Sequence, residues 1–193
     1  MGHIDAREHE LAGAPRPIRM GHERVAANRP GLAGRGSIEV RSAAFADGEV
    51  IPRRYAGDGE DVSPPLAWSH VPRETREVAV LCEDPDAPMA SPFVHWLVHG
   101  LPPGVRALGE GVTRATFVPG LPPAHQGRNS GQDTGYMGPL PPPGHGVHHY
   151  YFEVFALDQP LGLRALCTRD ELVQAMRGHV LASGVLVGTY ERG

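Results

Sequence analysis

The chain has 193 residues, 40% of them hydrophobic, with 25 Gly and 20 Pro. That is enough for one ordinary domain with a core, and it points to a loop-rich β protein rather than a helical bundle or a disordered chain. All 18 basic residues are Arg, against 22 acids, for a formal net charge of −4, so the basic excess of a nucleic-acid surface is missing and no nucleic-acid partner is expected.

In chain order, residues 1–36 show no sustained period and many breakers, among them Arg16-Pro17, Arg29-Pro30 and Gly34-Arg35-Gly36. They read as a flexible extension with one helical turn near Glu8 to Leu11, ahead of a single domain over 37–193. Asp5, Arg7, Glu8 and Glu10 stand where a secretory leader needs an apolar run. No apolar run exceeds strand length, so a cytoplasmic protein without a membrane span is expected.

From Ser37 the pattern changes to short β-like runs over 37–41, 50–55, 77–83, 93–99, 113–118 and 148–157. Turn chemistries such as Asp47-Gly48, Gly57-Asp58-Gly59 and Pro102-Pro103-Gly104 separate them, which predicts a sandwich-like sheet topology. Near the C-terminus, Thr168-Arg169-Asp170-Glu171 has the capping-box pattern, and Leu172, Met176 and Val180 recur at helical spacing. A helix closed by Gly184 and a final strand over 185–190 follow. Cys82 and Cys167 lack zinc-site spacing and read as two buried thiols.

Three segments carry the polar groups of interest. Asp84 leaves an apolar strand just before Pro85, which biases it to an extended conformation. Period-two alternation puts Phe93, His95, Leu97 and His99 on one face and Val94, Trp96 and Val98 on the other. The same rule places His148, Tyr150, Phe152 and Val154 together, opposite His149, Tyr151, Glu153 and Phe155. Neighbouring β runs lie together in space, so Asp84 is expected beside His95, orienting and charging the imidazole. The Gly/Pro-rich stretch 127–146 is expected to add a nest of backbone N–H groups. With His148 and Tyr150, these groups suit a phosphate-like anion on a small molecule or a phospholipid headgroup.

Plainer readings stand beside this one. Asp84 and Asp86 can serve turn amides, and strand histidines are often core residues. A hydrolase or lyase using Asp84 and His95 as a general-base pair lacks a nucleophile elbow around Ser91 or Ser130. A metal site from His145, His148 and His149 is disfavoured because alternation separates the last two. No catalytic residue, metal or cofactor is assigned.

The same residues resemble the phosphatidylethanolamine-binding protein (PEBP) family, in its bacterial Raf-kinase-inhibitor-like branch, over 37–193. The motifs are Val62-Ser63-Pro64-Pro65-Leu66-Ala67-Trp68, Asp84-Pro85-Asp86-Ala87-Pro88, Val94-His95-Trp96, Gly135-Tyr136-Met137-Gly138, Pro141-Pro142 with His148 and Tyr150, and Gly188-Thr189-Tyr190. The resemblance implies an antiparallel β-sandwich with a C-terminal helix and a non-catalytic binding or regulatory role. It implies a pocket for phosphate-like anions, with Asp84 as the pocket acid, Asp86 as its buttress, His95, His148 and Tyr150 as ligand contacts, and Gly138 and Pro142 as a loop wall. Surface inhibition of a kinase or protease partner, and a homodimer, are further readings that come with it. Two departures stand out: His149 replaces the usual basic residue, and residues 1–36 have no counterpart.

Overall fold

Two sheets enclose the main core in a computed structural model that describes residues 21–193. The helical turn expected near residues 8–11 lies outside the described residues. The strands are β1 (Gly36–Ser37), β2 (Glu39–Arg41), β3 (Leu66–Ser69), β4 (Glu77–Asp84), β5 (Phe93–Leu101), β6 (Ala107–Leu108), β7 (His125–Gln126), β8 (His148–Leu157) and β9 (Val180–Tyr190), with helix α1 (Arg169–Met176) between the last two. The large sheet runs β1-β9-β8-β4-β5-β7 and the small one β2-β3-β6. Every residue of β4 is buried, which explains its unbroken apolar run: a central strand covered on both faces has no polar side to alternate with. Val80, Cys82, Trp96, Tyr150 and Phe152 fill the space towards the small sheet, while Leu81, Leu97 and Phe155 meet α1 on the other face. Cys82 and Cys167 are both buried and free.

The expected capping box forms. The Thr168 hydroxyl accepts from the Glu171 N–H, and the Glu171 carboxylate accepts from the Thr168 N–H at 2.7 Å. The helix ends at Met176, however, and not at Gly184, because Gly178 turns the chain at φ +80° and Val180 enters β9. The long ladder from β9 to β8 overrides the helical spacing of Val180. Two expected strands are also absent as ladders. Val50 makes one bridge to Thr189 before Arg53–Tyr55 forms a 3-10 turn, and Pro52 has no N–H to extend a ladder. In 113–118 only Phe117 bridges, to His125, while the Gln126 amide donates to the Thr113 and Ala115 carbonyls.

Residues 21–36 are not a free extension. Val25, Ala26 and Leu32 are fully buried, and the segment covers β4 and β8 on the face away from the small sheet. There β4 and β8 bury Glu83 and Glu153, and buried carboxylates require donors. The Ala26 N–H donates to Glu83 Oε2 at 2.7 Å and the Ala27 N–H to Glu153 Oε1 at 2.6 Å. Arg169 binds the second Glu83 oxygen and donates to the Arg24 carbonyl at 3.2 Å. Among the described residues, packing against the domain is thus already in place at Val25 and Ala26, ahead of the expected boundary at Ser37.

Candidate ligand pocket

The ends of β4, β5 and β8 open onto a cavity of about 300 Å³, with Asp84, His95, Gly138, Pro142, His148 and Tyr150 in its wall. Met89, Phe93, Met137 and Leu140 contribute to its apolar lining. Strand β8 brings His148 and Tyr150 to the cavity by plain alternation. His95 arrives by a different route. Cys82 pairs with Trp96 but Glu83 pairs with Val94, so His95 is the extra residue of a β-bulge. Trp96 therefore joins Tyr150 in one core cluster while Val94 joins the other, and the His95 ring meets Tyr150 edge-on at 5.0 Å. The expected strict alternation along 93–99 fails at this bulge.

The hydrogen bonds redistribute the expected roles. Asp84 pairs with His148 and not with His95: its Oδ2 accepts from His148 Nδ1 at 2.7 Å. Its Oδ1 accepts from the N–H groups of Asp86 and Ala87 at 2.8 and 3.2 Å. Both carboxylate oxygens are engaged, so the acid shapes the pocket without pointing an unpaired charge into it. His148 Nε2 lies 2.6 Å from Nδ1 of the exposed His145. That spacing is a hydrogen bond between the two rings, and it makes a chain from Asp84 through His148 to the surface.

His95 donates from Nδ1 to the Met137 carbonyl at 2.6 Å, which leaves Nε2 on the cavity side. Burial lowers its pKa below the ordinary 6.5, against smaller raising effects from the Met137 carbonyl and Asp84. Neutral His95 with Nδ1 protonated presents a lone pair at Nε2. The Tyr150 hydroxyl is buried and has no hydrogen-bond partner among the described residues. Burial, then the Asp84 charge, raises its pKa far above the usual phenol value, so it stays a donor.

Asp86 is absent from the cavity wall. Its Oδ2 accepts from the His149 backbone N–H at 2.8 Å and lies 2.7 Å from His149 Nδ1, so it pins β8 from the far side. The expected amide nest does not form either. The N–H groups of Gly127, Ser130 and Met137 donate to carbonyls of β5, and that of Gly138 donates to Asp61 Oδ1 at 2.7 Å. Gly138 also needs to be glycine, since a Cβ there would lie 2.4 Å from the Tyr55 carbonyl oxygen. Sequence reasoning missed the Met137 carbonyl and Asp61 as positioning groups, and it considered His145 only as a metal ligand.

Comparison with known families matches residues 41–191 to "Phosphatidylethanolamine-binding protein". The UPF0098 protein of Pyrococcus abyssi is 43% identical over 164 residues, spanning 83% of this chain and 90% of that protein. Among solved structures, the PEBP homolog CT736 from Chlamydia trachomatis aligns with a TM-score of 0.72 at 37% identity, covering 82% of this chain and 99% of its own. Escherichia coli YbcL, described as a new member of the mammalian PEBP family, gives 0.77 at 29% identity, with 82% and 100% covered. Fold, family motifs and sequence agree along one continuous region, and the chain belongs to the phosphatidylethanolamine-binding protein family.

Proposed function

We propose that the chain is a non-catalytic binding protein whose pocket takes phosphate-like anions, carried on a small molecule or a phospholipid headgroup. The observation that carries this reading is the Tyr150 hydroxyl, a buried donor without a partner among the described residues, set beside the open Nε2 of His95. An orphan donor in a cavity is costly unless something accepts from it. A phosphate oxygen suits that role, while a protonated phosphate oxygen, or a proton taken up by His95, satisfies Nε2. The apolar wall of Met89, Phe93, Met137 and Leu140 favours an anion attached to an organic group.

Binding without turnover is supported by the chemistry of the wall. Among the described residues it contains no Ser, Thr, Cys or Lys to act as a nucleophile, and Asp84 pairs with His148, whose other ring nitrogen is taken up by His145, rather than with His95.

The sign of the pH dependence follows from His95. Its pKa is lowered by burial and a bound anion would raise it again, so binding takes up a proton and affinity falls as pH rises. Calorimetric titration with inorganic phosphate and with O-phosphoethanolamine is expected to show tighter binding at pH 6 than at pH 8. Tyr150→Phe is expected to weaken it about tenfold, the value of one hydrogen bond to a charged group. Absence of binding by either compound at both pH values would overturn the proposal.

A further inference from the structure

Glu83 and Asp84 are chain neighbours with different duties: Asp84 lines the cavity, whereas Glu83 is buried under residues 21–29 on the opposite face of β4. That segment lies outside the family match at 41–191. It is anchored by the Ala26 and Ala27 N–H groups on Glu83 and Glu153, and by the Arg169 guanidinium on the Arg24 carbonyl. From this anchorage the Arg24 side chain reaches over the end of β4. One terminal nitrogen donates to the Met89 carbonyl at 2.9 Å and the other to the Pro85 carbonyl. Gly21, at φ +68°, makes the approach feasible, because a Cβ there would stand 2.8 Å from Pro85 Cβ.

Both carbonyls belong to the connection between β4 and β5, and this connection has two links to the pocket. Ala87, Pro88 and Met89 form one side of the cavity, and the Asp86 and Ala87 N–H groups hold the Asp84 carboxylate. Within the connection, the other backbone bond is from the Met89 N–H to the Ala87 carbonyl at 2.7 Å. A planar guanidinium bridging residues 85 and 89 therefore closes the loop as a staple would.

We propose that Arg24 is a positioning residue for the pocket: residues 21–29 form a strap, and the Arg24 fork fixes the Pro85 to Met89 wall from outside the cavity. The effect on ligand affinity rests on the function proposed above; the effect on the wall does not.

Amide hydrogen exchange and phosphate calorimetry on the full chain, with Arg24→Ala and Arg24→Lys, separate the two. In Arg24→Ala, which removes both charge-assisted bonds of the fork, the amides of Asp86, Ala87 and Met89 are expected to exchange at least about tenfold faster. The Trp68 amide, which donates to the Arg106 carbonyl in the small sheet, is expected to keep its rate. Phosphate affinity is expected to fall by a similar factor, with partial recovery in Arg24→Lys, whose single ammonium can hold one carbonyl well but lacks the fork. Unchanged exchange at 86–89, or equal acceleration at Trp68, would overturn the positioning role. Faster exchange with unchanged affinity would overturn the link to the ligand. A wild type that binds no phosphate would overturn the proposed function and the affinity claim with it, while exchange still decides whether Arg24 holds the wall.

Discussion

His148 has both ring nitrogens committed, Nδ1 to Asp84 and Nε2 to His145, whereas His95 keeps one nitrogen open. An incoming anion must therefore compete with His145 for His148. His145→Ala is expected to free Nε2 and tighten phosphate binding a few-fold in the same calorimetric titration; weaker binding would instead make His145 a ligand contact. The site was partly legible at this scale. Asp84, His95, His148 and Tyr150 carry distinctive chemistry, and the structure brings all four to one cavity. Their pairing was not legible, because a bulge at His95 leaves no trace between Val94 and Trp96, which both favour extended backbone. The acceptors that hold His95 and Gly138, a carbonyl at Met137 and a carboxylate at Asp61, come from residues distant in sequence from the groups they hold, with no pattern to announce them.

Strand β8 serves two sites by alternation. His148 and Tyr150 enter the pocket, while His149, Tyr151 and Glu153 face outward to Asp86 and the strap. Its ends coincide with the apolar and aromatic run in the sequence, since a long ladder on both sides leaves little competition. Less regular elements were harder to foresee: β3 follows Pro64-Pro65, and α1 yields its expected last turn to β9. Glu153 gives this element its own test. Burial, then the neighbouring Glu83 charge, pushes its pKa well above 4.5, and its Oε2 meets no donor among the described residues. The fold therefore retains a proton that the unfolded chain releases, and stability falls as pH rises from 4.5 towards the raised value. Glu153→Gln is expected to flatten that decline and to raise Tm at pH 8 by a few degrees. A wild-type slope in the variant would show that Glu153 is already ionised in the fold.

For the whole molecule, a contributor of the opposite sign lies outside the pocket wall. His99 is buried against His125, with Nε2 unpartnered among the described residues, and burial lowers its pKa to about 4. The unfolded chain takes up a proton near pH 6.5 that the fold refuses, so the stability contributed by neutral His99 is lost as pH falls from 6.5 to 4. That loss is on the order of 3 kcal/mol. Urea unfolding at pH 4.5 and 7 is expected to show a clearly smaller acid loss in His99→Leu than in wild type; an equal loss would place the sensitivity elsewhere. The sandwich class was readable from turn spacing and alternation, but the strap was not. Val25, Ala26 and Leu32 are too few and too scattered to signal burial, and the carboxylates that accept from the Ala26 and Ala27 N–H groups stand on strands more than fifty residues away.

The margins of the large sheet are closed by irregular chain. Along β5, the N–H groups of Gly127, Ser130 and Met137 occupy the Leu97, Val94 and His95 carbonyls, and Ser130 Oγ accepts the Val94 N–H. Along β9, Ile38, Gly48 and Ile51 donate to Ser183, Val187 and Thr189, and the Thr189 N–H returns to Glu49. Strands of nine and eleven residues would otherwise be templates on which another chain could extend the ladder. The same loops that withhold their amides from the pocket thus make the folded protein a poor seed for aggregation, and crowded solution should not drive it to polymerise through its edges.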